Sequence, residues 1–460
     1  MVQQDNCAPE RGCFNNSARG NSWGFSLPGW TWPRASASRY GTGSFPPTRT
    51  CWLFLIQVLS ADGSCRETVR RFLAWLAWTE GKQASANSAA YCKARGRLPL
   101  ESLHAAHRAL VARLEQSPLT QRPWRGHRVA VVDGTGLSMP DTPENQQQYP
   151  QSKASKPGCG FPEMRLVALF SLATGALLHY AASSRKVDER TLFRRLWDHL
   201  EPGDIVLADR GFCSFADYFF LAQRGINSVM RLHARRGAGV RVIKRLAPGD
   251  TLVHWVKTKP TPKGLTKKRW AAVPDVLPVR HITFTVPISG FRTKSITVAT
   301  TLLDHRRYPA HAFAALYRRR WQAELYFRDI KTSLGMDILR CKTPAMIRKE
   351  LAVHILAYNL IRATMLQAAR RAGVEIERIS FKGTLQTIRQ WALVTELAHP
   401  HQLDHLHNAM LATIARHPLQ SRPNRCEPRA RKRRPKNYQL LNKPRHLFKE
   451  IAHRNRYRKP

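Results

Sequence analysis

Acidic residues are scarce in this chain. Its 460 residues hold 31 Asp plus Glu against 75 Lys plus Arg, a formal net charge of +44. A compact protein with so much charge of one sign repels itself and calls for a polyanionic partner. Nucleic acid leads, because neutralising phosphates with Lys and Arg supplies most sequence-independent affinity. Long apolar runs are also missing. The longest, Cys51-Trp-Leu-Phe-Leu-Ile56, falls far short of the roughly 20 residues that a membrane helix needs, so no membrane partner is expected. A cysteine framework is absent as well: the nine cysteines are scattered, with no CxxC pair and no His at zinc-ligand spacing. They read as single reduced thiols rather than as disulfides or a zinc site. The chain does not open on the basic-then-apolar layout of a signal peptide. A cytosolic protein with about three domains is the expectation.

What is present is organised in blocks. Residues 1–47 are rich in Ser, Gly, Pro, Asn and Trp without a sustained period, which predicts disorder or a misannotated extension. From about residue 48 to 120, apolar residues recur at helical spacing, as in Val69, Phe72, Leu73 and Leu76. This predicts a helical N-terminal domain, for which DNA binding and plain helical packing stand equal. Between 125 and 375 the texture is α/β. Arg128-Val-Ala-Val-Val-Asp133 and Asp204-Ile-Val-Leu-Ala-Asp209 are short β-branched runs that end on a carboxylate. Strands at 165–174 and 176–180 join at Gly175 as a hairpin, helices are expected over 188–200 and from Ser214 to Leu221, and a strand at 228–232 follows. Residues 233–303 read as a β-rich insertion. Long amphipathic helices are expected over 310–334 and 347–372. Residues 376–460 form a C-terminal helical segment and a basic tail around Arg429–Arg434, expected to add backbone affinity for DNA.

Strand-end aspartates lie where α/β sites usually form, yet each alone also serves as a cap or turn residue. A third element is more specific. Tyr317, Arg320, Glu324 and Lys331 are spaced Y-x2-R-x3-E-x6-K. At about 100° per residue the last three fall near −60°, −20° and −40° from Tyr317, on one narrow helix face. A carboxylate between two cations can hold metal while they grip phosphates. A solvated face with an Arg320–Glu324 ion pair has the same spacing.

Together these motifs resemble the DDE transposases of bacterial insertion sequences, in the branch marked by the YREK signature. The first motif is Val132-Asp133-Gly-Thr-Gly-Leu-Ser-Met-Pro-Asp-Thr142 with Asn145 and Tyr149-Pro150. Lys156-Pro-Gly-Cys-Gly-Phe-Pro162 with Arg165 is similar to the stretch before the family's second strand, Leu207-Ala-Asp209-Arg-Gly-Phe212 is the second motif, and the YREK helix is the third. The likeness runs from about Thr48, through Cys65-Arg66 and Ala90-Tyr91-Cys-Lys-Ala-Arg95, to the basic tail. It implies a ribonuclease-H-like core, a mixed sheet flanked by helices, with the β-rich region inserted between Asp209 and Glu324. It also implies Asp133, Asp209 and Glu324 as catalytic residues that hold two Mg²⁺ (or Mn²⁺) ions. Tyr317, Arg320 and Lys331 would contact DNA, with Arg210 beside them, and Trp321 would either stack on an unpaired base or pack in the core. The implied partners are double-stranded DNA, as terminal inverted repeats and target, and a second copy in a homodimeric synaptic complex. The implied location is the bacterial cytoplasm at the nucleoid. A structure-specific nuclease or an inactive DNA-binding relic would keep the fold and change the outcome. The resemblance predicts inverted repeats bracketing the reading frame, which sequencing the flanking DNA checks; their absence would count against an element-borne enzyme.

Overall fold

The computed structural model describes residues 45–116, 124–233, 240–262, 264–285, 295–420 and 441–448. The expectations for residues 1–44 and for the basic run Arg429–Arg434 lie outside the described residues. Among the described residues no helix is long and apolar enough to cross a membrane.

Four helices come first: α1 (Pro47–Leu59), α2 (Cys65–Glu80), α3 (Ala89–Arg97) and α4 (Leu100–Glu115). The Ser64 side chain caps α2 by accepting from the Glu67 backbone N–H, and Gly81 closes it in the left-handed region at φ 61°. Then follow β1 (Val129–Ser138), α5 (Pro143–Gln148), β2 (Glu163–Ser171), β3 (Leu177–Ser184), α6 (Glu189–Arg194), β4 (Ile205–Ala208), α7 (Phe215–Gln223) and β5 (Asn227–Arg231). The inserted region supplies β6 (Val240–Ala247), β7 (Asp250–Val256), α8 (Lys267–Ala271), β8 (Val276–Thr285) and β9 (Ser295–Thr300). The chain continues through α9 (Ala310–Arg319), α10 (Trp321–Arg328), α11 (Pro344–Ala372), α12 (Phe381–Leu397) and α13 (Leu403–Ala415).

Among the described residues, nine strands form one sheet in the order β3-β2-β1-β4-β5-β9-β8-β7-β6. In its first five strands β1, β4 and β5 run parallel, while β2 is antiparallel to both β1 and β3. This is the expected ribonuclease-H-like arrangement. The β-rich insertion does not stand apart: β9 pairs with β5, and β8, β7 and β6 extend the same sheet antiparallel.

Side chains alternate across a strand. Val129 and Val131 of β1 and Ile205 and Leu207 of β4 pack into the core shared with α1, α4 and α11. Ala130, Val132, Val206 and Ala208 face the second core, with α6 and α7. Burial on both faces explains why these runs read as continuously apolar. The 29-residue α11 begins at Pro344 behind a Thr343 cap, packs against α1, α4, α12 and α13, and ends at Gly373. At the β2–β3 hairpin Gly175 has φ +68°, and a Cβ there would collide with the Arg362 guanidinium from α11. Arg362 in turn donates to the Thr174 carbonyl.

Three local expectations change. The helix expected over 188–200 stops at Arg194 and resumes as a short 3-10 turn at Trp197–His199. The strand expected to end on Asp133 runs on to Ser138 against β2, while its pairing with β4 stops at Val132–Ala208. The single helix expected over 310–334 is broken. It tightens around Arg320, where the Arg320 N–H donates to the Tyr317 carbonyl and the Ala323 N–H to the Arg320 carbonyl, and it widens into a π-helical turn at Asp329–Ser333. No Pro or Gly marks either change in the sequence.

The feet of β1 and β4 are locked together. Arg128 donates Nε and Nη2 to the two carboxylate oxygens of Asp204 at 2.9 and 2.5 Å, and the Ile205 N–H donates to the Arg128 carbonyl at 2.8 Å. Asp204 is buried. Arg128→Ala strips the bidentate partner from a buried carboxylate, and the expected cost is roughly 2–4 kcal/mol in chemical denaturation. A loss below about 0.5 kcal/mol, the range of ordinary surface changes, would show that the clamp does not hold the strands.

Candidate active site

The register of β1 against β4 fixes the first two carboxylates. Asp133 and Asp209 each come directly after the last parallel pair, Val132–Ala208, with Asp133 still on β1 and Asp209 just past the end of β4. By alternation both side chains belong to the face against which α10 packs. Asp133 Oδ1 accepts a 2.8 Å hydrogen bond from the Gly134 N–H. Burial pushes its pKa up to about 6. The Gly134 bond and Arg320 oppose that rise, and the negative charges of Glu324 and Asp209 add to it. Asp133 therefore stands close enough to both other acids to be repelled by them.

Glu324 comes from α10, four residues after Arg320. Their ion pair measures 2.9 Å from Nη2 to Oε1, with the Arg320 side chain 13% exposed and that of Glu324 38% exposed. Arg320 also faces Asp209 and Asp133, whose charges help to offset the cost of burying the guanidinium. It lies 5.8 Å from the centroid of the Tyr317 ring. Tyr317 is buried. Burial raises its hydroxyl pKa, and Arg320 and Arg231 pull it back. Lys331, in the π-helical turn, donates from Nζ to Thr135 Oγ1 at 3.2 Å and to the Gly136 carbonyl at 3.1 Å. The break in the helix thus leaves all four signature residues gathered at one end of β1. Trp321 is 49% exposed at the start of α10, so it does not pack in the core. Arg210 is exposed in the turn after Asp209.

Several contributors escaped sequence reasoning. Arg231 ends β5 beside Tyr317. Thr135 and Gly136 receive Lys331. Glu189 closes over Gly134, where a Cβ would stand 3.0 Å from the Glu189 carboxyl carbon; that approach explains the glycine directly after Asp133. The only hint in the sequence was the Gly-Thr-Gly run after the aspartate.

A divalent cation suits this place on chemical grounds. The donors are oxygen-only, which hard cations require, and the three acids repel one another and raise Asp133. Among the described residues, however, no three of His, Cys, Asp and Glu are arranged so that they could hold an ion. Glu324 is paired with Arg320 in this arrangement.

A sheet of this order, with helices on both faces, defines the fold class: a ribonuclease-H-like protein. The comparisons narrow it. The family described as Transposase DDE domain matches residues 124–360, over half of the chain. The chain belongs to that family and is a transposase of an insertion sequence, of a kind that generally uses divalent metal ions. It is similar to the transposase InsG for insertion sequence element IS4 of Escherichia coli (strain K12), 28% identical over 68% of this chain and 70% of that protein. It is also similar to the transposase for insertion sequence element IS231F of Bacillus thuringiensis subsp. israelensis, 21% identical over 52% of this chain and 57% of that one. A solved piggyBac transposase synaptic complex with hairpin DNA covers 83% of this chain and 79% of its own at TM-score 0.40 and 9% identity, too loose a likeness to carry an argument.

The raised pKa of Asp133 has a consequence for stability. The native protein holds this proton more tightly than the unfolded chain does, so the stability it contributes is full below pH about 4 and is lost as pH rises through about 6. Asp133→Asn removes the buried charge. In chelator at pH 7.5 the variant should be more stable than wild type by on the order of 1–3 kcal/mol, and near pH 4 the two should converge. Thermal melts at the two pH values read this; a variant no more stable at pH 7.5 would contradict the electrostatic account.

Proposed function

We propose that Asp133, Asp209 and Glu324 are the catalytic carboxylates of this transposase, and that they hold two Mg²⁺ (or Mn²⁺) ions. What supports this most is the strand register, which sets Asp133 beside Asp209 on the face covered by the helix of Glu324. Ions held there would activate an attacking oxygen and stabilise the leaving one during in-line displacement at phosphorus. Everything else falls to the chain itself. Arg320 keeps the three acids together before DNA arrives, and on DNA binding its guanidinium passes from Glu324 to a phosphate flanking the scissile bond. Tyr317, buried under that guanidinium, fixes its direction. Lys331 moves from Thr135 and Gly136 to a second phosphate. Arg210 adds a backbone contact, and exposed Trp321 stacks on an unpaired base.

The substrate is double-stranded DNA carrying the element's terminal inverted repeats. Water first breaks the bond to the 3′ oxygen at the element end, and the freed 3′-hydroxyl then attacks a target phosphodiester, releasing that strand's 3′ oxygen. Two ends have to be brought together, so the working form is a homodimer on DNA, in the bacterial cytoplasm at the nucleoid. Residues 125–375 act as the catalytic domain, residues 48–120 as the helical N-terminal domain, and the motif Tyr317–Lys331 supports membership of the YREK branch.

The purified full chain, mixed with a plasmid bearing the element's ends and Mg²⁺, tests this. Asp133→Ala, Asp209→Ala and Glu324→Ala should each lose cleavage and joining by about 10²-fold or more, the scale of losing one essential group, while still binding DNA. Cleavage without joining would point instead to a structure-specific nuclease, and binding without cleavage by wild type to a relic. Full activity in any of the three variants would refute the assignment.

A further inference from the structure

A cavity of about 230 Å³ opens outside the carboxylate cluster, where the C-terminal end of α1 meets the turn after Lys331 and the flanks of α11 and α12. Ser60 and Ala61 line one side, Thr332 and Ser333 another, and Arg340 and Arg389 bring positive charge. Both arginines also bind carbonyls there, Arg389 at the end of α1 and Arg340 in the loop that follows it. Arg389 donates from Nε to the Leu59 carbonyl, and Arg340 from Nη1 to the Asp62 carbonyl at 2.6 Å. Each guanidinium carries five N–H groups in a planar fork, so these bonds leave most of them for a ligand.

The acid in the wall is already engaged. Glu350 accepts from the Arg340 N–H at 2.8 and 3.0 Å and from the Cys341 N–H at 2.9 Å. It acts as a cap for the 340–341 backbone rather than as a counter-ion for the two arginines. His354 of α11 also lines the cavity and is buried. Burial, with Arg340 nearby, lowers its pKa to about 3, so the ring is neutral at ordinary pH. Its Nδ1 finds no hydrogen-bond partner among the described residues. A buried polar atom left unpaired costs roughly 1–3 kcal/mol, which a bound group can recover.

We propose that this cavity is a phosphate-binding site, filled by a backbone phosphate of DNA or by a free phosphate. Two guanidiniums, the Thr332 and Ser333 hydroxyls and a neutral imidazole form a donor set matched to a tetrahedral oxyanion. The site follows directly on Lys331, so a phosphate there ties α1 to the segment that carries the last signature residue. The DNA source rests on the transposase reading; the phosphate chemistry does not.

Two variants of the full chain test it: Ala61→Glu, which sets a carboxylate at an exposed position on the cavity wall, and Arg340→Gln. One arm measures affinity for duplex DNA across a salt series. The other follows thermal stability in inorganic phosphate against chloride at equal ionic strength. For a DNA phosphate, each variant should bind duplex about 5–10-fold more weakly at 0.15 M salt, and Arg340→Gln should flatten the log–log salt slope by about 0.9, the value of one phosphate contact. For a free phosphate, duplex affinity stays put and the stabilisation of wild type by inorganic phosphate disappears in both variants. Arg340→Lys keeps the charge and should restore most of either effect. Wild-type behaviour of both variants in both arms overturns the site. If wild type itself fails to bind duplex, the transposase reading falls and the phosphate arm alone decides the cavity.

Discussion

Everything at the site depends on the register between β1 and β4. The Arg128–Asp204 fork sets the two strands level at their feet. Four parallel pairs later, Asp133 and Asp209 leave the shared ladder together. A slip of one residue would send one aspartate to the opposite face, into the core of α6 and α7. The cluster so made is not a comfortable one. Asp133 is buried, the charges of Glu324 and Asp209 both bear on it, and Arg320 offsets their repulsion. The sheet beneath holds Asp133 and Asp209 side by side in spite of that repulsion.

The three acids and the YREK set could be nominated from the sequence because each nomination rests on a local pattern: a β-branched run closing on Asp, or a fixed spacing on one helix. The spacing of Tyr317, Arg320, Glu324 and Lys331 presupposed one regular helix. A straight helix at 100° per residue does not exist over 317–331; a tight turn at Arg320 and a wide one at Asp329–Ser333 intervene. The two distortions leave Lys331 on β1, where it donates to Thr135 and Gly136. Over- and under-winding depend on packing around the helix, such as the seat of Ile330 in the core, and leave no local signature.

What the sequence did not disclose is set by contacts between distant segments. Nothing local says that 233–303 would continue the central sheet through the β5–β9 pairing, since alternation gives strands but not their neighbours. The exposure of Trp321, the approach of Glu189 to Gly134 and the cation Arg231 beside Tyr317 likewise arise from tertiary placement. The cavity beside α1 draws its walls from four segments spread between Phe54 and Arg389.

The most direct test of the central claim is the anomalous scattering of Mn²⁺ in crystals of the protein bound to its DNA ends. The account predicts density for two ions bounded by Asp133, Asp209 and Glu324, with Arg320 turned away from Glu324 toward phosphate. Manganese bound elsewhere in a complex that still cleaves DNA, or none at these three acids, would contradict it.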